Sequence, residues 1–277
     1  MGQKDVTPTP LLRWSPGDKA AKHDVYFGTD AQAVAAAGTT TANLYQGRQA
    51  LGATSFDPGP LDWGKTYYWR IDEVNDASPD SPWSGPVWSF TTADFLVIDD
   101  FESYNDDLDA KTTIFDTWID GFTNGLSGST VGNITAPFAE QRIVHTGIQS
   151  MPLDYNNANS PYYSEAERSW DTSQNWTVHS VDTLTLYVQG QTANAADKLY
   201  VIVEDTAGHS ATVVHPDAAV LTTAQWTEWK IPLSSLAGVN AAKIKKITIG
   251  VGNRTSPVKG GAGRIYIDDI RVMKGGN

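Results

Sequence analysis

Asp99-Asp100-Phe101-Glu102 opens, and Ile265-Tyr266-Ile267-Asp268-Asp269-Ile270 closes, a long run of strand-like segments. In a β-sandwich whose first and last strands pair, these two acidic stretches lie side by side. Up to five carboxylates then share one small volume. Like charges that close call for a cation, and a set of oxygen ligands suits Ca²⁺ better than a transition metal, which favours His or Cys. Residues 94–277 therefore read as one Ca²⁺-stapled sandwich, and residues 1–93 as a separate domain in front of it.

The bulk composition agrees with two globular domains. The chain has 277 residues, 40% hydrophobic and 19% charged, enough for two cores of ordinary size. A formal charge of -12 argues against nucleic acid or an anionic membrane as partner, since both select for Lys and Arg. The absence of Cys leaves the redox compartment open. No apolar run reaches the roughly 18 residues of a membrane span. The sequence is read as an excerpt of a longer multidomain chain that is secreted or held at the cell surface.

Residues 7–93 alternate strand-length runs with Gly, Pro and Asp clusters, and Ala31 to Ala37 is the one short helical candidate. This predicts an all-β sandwich. In the run Tyr67 to Asp72 the set Tyr67, Trp69 and Ile71 faces one way and Tyr68, Arg70 and Asp72 the other. Trp14 on an early strand, Leu61 six residues before Tyr67, and Trp83-Ser84-Gly85-Pro86 leading into Ser89-Phe90-Thr91-Thr92 resemble a fibronectin type III domain. The resemblance implies a tyrosine corner, with the Tyr67 hydroxyl tied to upstream backbone. It departs at the start, where the first strand looks shortened or missing.

From residue 94 onward strands are expected near 95–103, 112–119, 139–145, 149–156, 161–170, 181–190, 197–205, 210–215, 226–232, 243–251 and 263–273, with a helical turn at 233–238. About eleven strands in this length predict a β-jelly roll. Besides the two acidic stretches, His145-Thr146-Gly147-Ile148-Gln149-Ser150-Met151 and Trp226-Thr227-Glu228-Trp229-Lys230-Ile231-Pro232 resemble segments of jelly-roll carbohydrate-binding modules of the family 11 type. The resemblance implies a structural Ca²⁺ held by Glu102 and Asp269, with Asp100 and Asp268 as helpers and carbonyls of the loop between His145 and Ser150. It also implies a non-catalytic module that targets a larger secreted bacterial enzyme to a polysaccharide.

Alternation along each strand separates a core face from an open one. Leu184, Leu186 and Val188 are assigned to the core, as are Leu199, Val201 and Val203, and Ile247, Ile249 and Val251. The open face is then polar with scattered aromatics, the chemistry that meets the C–H face and hydroxyls of a sugar. Its candidate binding residues are Tyr163, Glu165, Tyr187, Gln189, Glu204 and Arg254, with Trp118 at the rim. Glu165 and Glu204 disfavour a strongly anionic chain, so neutral β-glucan, xylan or mannan is expected, in that order.

Two other readings stay open on the residues alone. His209 and His215 with Tyr200 or Tyr187 and Arg254 are the residue types of a jelly-roll polysaccharide lyase, and Glu165 with Glu204 those of a glycosidase. The third reading is a Ca²⁺-stabilised spacer or adhesion module. No nucleophile elbow, zinc-protease motif or phosphate-cradling loop is present.

Overall fold

The computed structural model describes residues 2–275. The chain divides into two compact units, Met1–Asp94 and Phe95–Asn277.

In the first unit the strands are β1 (Gln3–Val6), β2 (Leu12–Arg13), β3 (Lys22–Gly28), β4 (Tyr45–Ala50), β5 (Ser55–Phe56), β6 (Thr66–Val74), β7 (Trp83–Ser84) and β8 (Trp88–Thr92), with helix α1 at Ala31–Ala36. One sheet runs β1-β8-β6-β3-β4 with β7 on β6, and β2 pairs with β5 in a second, two-stranded layer. The first strand is not missing: β1 lies parallel to β8. Between the layers Leu12, Tyr67 and Phe90 form the buried centre, packed by Phe27, Phe56, Leu61 and Trp69. The Tyr67 hydroxyl accepts the Asp62 amide at 3.0 Å, and so pins the turn before β6 to the core. On the opposite face Arg70 is buried; its guanidinium meets Asp72 at 2.8 Å and the Val34 and Ala37 carbonyls at the end of α1. A buried cation with that many acceptors satisfies the requirement that interior charges be paired and hydrogen-bonded.

The second unit carries β9 (Phe95–Asp99), β10 (Ile119–Asp120), β11 (Ser129–Val131), β12 (Met151–Asn156), β13 (Tyr163–Gln174), β14 (Thr183–Gln189), β15 (Leu199–Asp205), β16 (Ser210–Val214), β17 (Thr227–Pro232), β18 (Ile244–Gly252) and β19 (Ala262–Met273). A five-stranded sheet runs β10-β13-β18-β15-β16; a six-stranded one runs β11-β12-β19-β14-β17, with β9 also on β19. The fold is the expected all-β sandwich. The predicted core rows hold, since Leu184, Leu186, Val188, Leu199, Val201, Val203, Ile247, Ile249 and Val251 are all buried.

Two predicted strands are not strands. Residues 112–119 instead make a short helix, α2 (Ile114–Thr117), started by a reciprocal capping box between Thr113 and Asp116. Residues 139–145 are irregular apart from a single bridge between Glu140 and Ser150. A further short helix, α3 (Gly121–Asn124), is capped by Asp120, and β11 was not foreseen. The turn at 233–238 is a 3₁₀ turn over Leu233–Ser235.

Candidate functional site

The open face of the five-stranded sheet is built from registered rows. One row runs Glu165–Gly250–Tyr200–Val214 from β13 through β18 and β15 to β16. The next runs Ile119–Glu167–Thr248–Ile202–Thr212 and begins on β10. Ser169–Lys246–Glu204–Ser210 follows. On the other side of the Glu165 row stand Tyr163 and Gly252, with Lys198 joined to Gly252 through the Gly252 amide.

Glycine on the central strand shapes this face. A Cβ built on Gly250 would stand 2.3 Å from the Tyr200 ring. Without one, the ring lies across β18, and its hydroxyl donates to Glu165 Oε1 at 2.7 Å. Tyr200 is only 3% exposed. Its phenol is raised above its ordinary pKa by burial and by the Glu165 charge. The Glu165 carboxyl is also raised, chiefly by burial, against the opposing pull of Tyr200 and Arg254. Arg254 approaches the other Glu165 oxygen at 3.5 Å. Lys246 stands 3.4 Å from Glu167 and 3.5 Å from Glu204.

An open cleft of about 470 Å³ is lined by Lys198, Tyr200, Ile202, Glu204, Val214, Lys246, Thr248 and Arg254 among others, with Glu165 and Glu167 paired to Arg254 and Lys246. From Lys198 to Glu204 it follows six residues of β15, roughly 20 Å of strand, room for several pyranose rings. Of the sequence candidates, the structure brings Glu165, Glu204 and Arg254 together here, with Tyr163 in the adjoining row. Lys198, Lys246 and Tyr200 also line it without having been on the binding list, and of these Tyr200 had a sequence signal. A glycine inside a strand pattern marks a close approach, and Gly250 was the signal.

Three candidates belong elsewhere. Trp118 is not at a rim: it is fully buried, held in place by α2, and its indole N–H donates to Asp99 at 2.8 Å. Tyr187 and Gln189 lie on β14, in the six-stranded sheet, so they do not share a face with Glu165. The Tyr187 ring stacks on His145, with centroids 3.5 Å apart. The lyase constellation is likewise not assembled: Tyr187 is on that other sheet, His209 pairs with Asp205 beyond the end of β15, and His215 packs edge-on against Trp229.

The acidic stretches do meet, since β9 pairs with β19 and Ile270 faces Asp99. Five carboxylates do not converge, however. Asp99 turns inward to Trp118, to the Tyr104 hydroxyl at 2.6 Å and to Arg168. Asp268 and Asp269 sit where β19 changes neighbour along one edge, from β12 (residues 262–267) to β9 (residues 270–273). Asp269 adopts φ 49° there, a left-handed conformation uncommon outside glycine. The loop 143–149 enters the gap. Asp268 accepts the His145 amide at 2.8 Å, and Asp269 meets His145 Nδ1 at 2.6 Å, the Thr146 hydroxyl at 2.7 Å and Arg271. Glu102 Oε1 accepts the Ile148 and Gln149 amides at 2.9 and 3.1 Å, and Asp100 accepts the Glu102 amide at 3.2 Å. Gly147, at φ 73°, gives Glu102 its space; a Cβ there would lie 2.2 Å from Oε1.

The Asp268 carboxyl is pushed up to about 7 by burial, with the Asp269 charge adding to it. The oxygen-only donors Glu102, Asp268 and Asp269 fit Ca²⁺ in chemical type. Their arrangement here fits it less well: Arg271 and loop N–H groups, rather than carbonyls, face these carboxylates. Among the described residues no group of three or more His, Cys, Asp or Glu side chains is placed to hold a metal.

Comparison with known proteins decides the class. The family model for carbohydrate binding domain 30 matches residues 110–274, more than half of the chain. This chain belongs to that family. The carbohydrate-binding domain is a non-catalytic module, and its match takes in every strand of the five-stranded sheet. No curated protein matches the chain. Among solved structures, a family 11 carbohydrate-binding module from Clostridium thermocellum in complex with a β-1,3-1,4-mixed-linked tetrasaccharide is similar at 14% identity and TM-score 0.38, covering 65% of this chain and 95% of that one. A family 30 module of a cellulosomal cellulase of Clostridium thermocellum is similar at 14% identity and TM-score 0.39, covering 55% and 93%. An exo-β-agarase is similar at 11% identity and TM-score 0.44, covering 66% of this chain and 25% of that one. Among the described residues no helix is long and apolar enough to cross a membrane.

Proposed function

We propose that the carbohydrate-binding domain takes a polysaccharide chain in the cleft of the five-stranded sheet, with Tyr163, Glu165, Tyr200, Glu204 and Arg254 among its contacts. The observation that carries this is the cleft itself, an elongated polar trough on the solvent side of a sheet whose other side is core. The trough offers carboxylate, guanidinium and ammonium groups for hydroxyls, and Ile202 and Val214 for apolar ring faces. In this reading the chain is part of a longer secreted enzyme, and the first unit is a fibronectin type III-like spacer. The Tyr67–Asp62 tie and the two-layer core support that assignment.

The test is affinity electrophoresis of the chain through gels holding β-glucan, xylan or mannan, with the mixture assayed for released sugar. Retardation without release supports the reading, and Arg254→Ala and Glu204→Ala, which remove polar groups lining the cleft, should weaken it. Retardation unchanged in both would place the ligand on another surface.

A structural Ca²⁺ held by Glu102 and Asp269, with Asp100 and Asp268 as helpers, is a second proposal. The oxygen-only donor set supports it, while Arg271, His145 and the loop N–H groups are the competing means of compensating Asp268 and Asp269.

A further inference from the structure

We infer that the first unit carries a second carbohydrate-contact surface, a tryptophan platform formed by Trp69, Trp83 and Trp88 that takes the ring faces of a neutral polysaccharide. This goes beyond a spacer role. It rests on the second unit's being a carbohydrate-binding domain, not on the position of its cleft. Ladder register puts the three indoles on one face of the sheet. Trp69 of β6 is paired with Trp88 of β8, and Glu73, four residues on along β6, with Trp83 of β7. Alternation gives residues 69 and 73 the same face. The Trp69 and Trp88 rings pack with centroids 4.6 Å apart, and Trp14 stands 6.4 Å from Trp69.

The second layer leaves this part of the face open. β2 and β5 are short, and their Leu12 and Phe56 cover the end that holds Tyr67 and Phe90. Phe90 is 4% exposed; Trp88, two residues earlier on the same side of β8, is 39% exposed. Trp69 and Trp83 are half-buried. Between the two edge indoles the chain passes through Gly85, where a Cβ would stand 2.2 Å from the Ile71 carbonyl oxygen, so Gly85 puts no side chain between them. Val87 turns to the opposite core, with Tyr26 and Val34. From Trp83 to Trp88 the platform follows four residues of β6, about 13 Å of strand.

The occupant follows from the chemistry of these rows. In the rows of β3, β6, β7 and β8 that hold the platform, the carboxylate is Glu73, and it is engaged. His23 Nδ1 lies 2.8 Å from one oxygen, and the Gly17 amide donates to the other at 3.1 Å. An exposed indole with no unpaired charge in its rows suits the C–H face of an uncharged pyranose ring. The family of the second unit supplies the source of such rings. A polysaccharide held by that unit is presented to the first at the high effective concentration of an intramolecular contact. A polymer also offers many rings, so a platform too weak to bind alone is filled.

The experiment is affinity electrophoresis of the full chain in barley β-glucan, xylan or mannan gels, at low and high salt. Trp88→Ala and Trp83→Ala are each expected to weaken binding of the polymer by about tenfold, equally at both salt concentrations because the platform holds no charge. Trp88→Tyr keeps a ring and should keep most of the binding. Weakening as large in Trp88→Tyr as in Trp88→Ala would mark lost packing rather than a lost aromatic face and overturn the inference. So would unchanged binding in both Ala variants; if Arg254→Ala and Glu204→Ala still weakened it, the cleft would stand without the platform. Weakening by the Trp variants alone would uphold the platform and overturn the cleft. A dimer of the full chain that Trp88→Ala dissociates, seen by sedimentation velocity, would give the platform to a second copy and overturn the inference. Failure of every polymer to retard the chain would overturn both.

Discussion

The Tyr200 hydroxyl reaches Glu165 Oε1 at 2.7 Å across a strand whose intervening residue, Gly250, has no side chain. The contact spans the middle strand, β18, and ties β15 directly to β13.

Gly250→Ala should break that contact, because the new methyl occupies the place of the ring. Displacement of a packed aromatic by an inserted carbon costs about 1–3 kcal/mol, read as a lower denaturant midpoint with unchanged slope. Polysaccharide retardation should weaken with it. Tyr200→Phe should cost a similar ~1–3 kcal/mol by leaving the Glu165 carboxylate without its donor.

Trp118→Phe should lower stability by roughly 1–3 kcal/mol, since buried Asp99 loses one of its donors. Retardation in polysaccharide gels should not change. A change there with stability intact would return Trp118 to the binding surface.

Two carboxylates should give pH effects of opposite sign. Asp205 is lowered to about 2, first by the Asn240 amide and then by those of Ala207 and His209. Its stabilisation is present above the ordinary Asp value near 3.9 and lost as pH falls towards about 2. Glu165 is raised by burial, so ionising it costs the folded state. Its contribution is most favourable below about pH 4.3 and is lost as pH rises through its folded value. Thermal melts of Asp205→Asn should therefore approach wild type in acid and fall below it at neutral pH. Those of Glu165→Gln should gain on wild type as pH rises.

Chelation should separate the two ways of compensating Asp268 and Asp269. With Ca²⁺ bound, EDTA lowers the Tm of the second unit, and Ca²⁺ restores it. A Tm indifferent to EDTA would mean that Arg271 and the loop amides suffice.

In the first unit, Tyr67→Phe should cost about 1 kcal/mol, the usual worth of one net hydrogen bond. The measurement is unfolding of that unit by denaturant.

What could be read from the sequence was set by the range of the interactions involved. Core rows of β14, β15 and β18 followed from period-2 alternation, a local property, and the meeting of the two acidic stretches followed from one topological assumption. Which sheet a strand joins is non-local, so Tyr187 and Gln189 were placed beside Glu165 although β14 pairs with β17 and β19. Trp118 was misplaced because the Thr113–Asp116 capping box outweighed the β-branched run around it. Loop 143–149 was expected to offer carbonyls; the residues gave no sign that its N–H groups would turn towards Glu102 and Asp268.

The pairing of β9 with β19 also has a mechanical side. Because the strands are antiparallel and Phe95 lies opposite Met273, the two ends of the second unit leave from the same end of the ladder. A pull between an immobilised polysaccharide-bound body and whatever the chain tethers would load those hydrogen bonds singly, like a zipper, rather than together in shear. Behind them stand Glu102, Asp268, Asp269 and the loop they grip. Peeling from Phe95 and Met273 would therefore reach that acidic knot last.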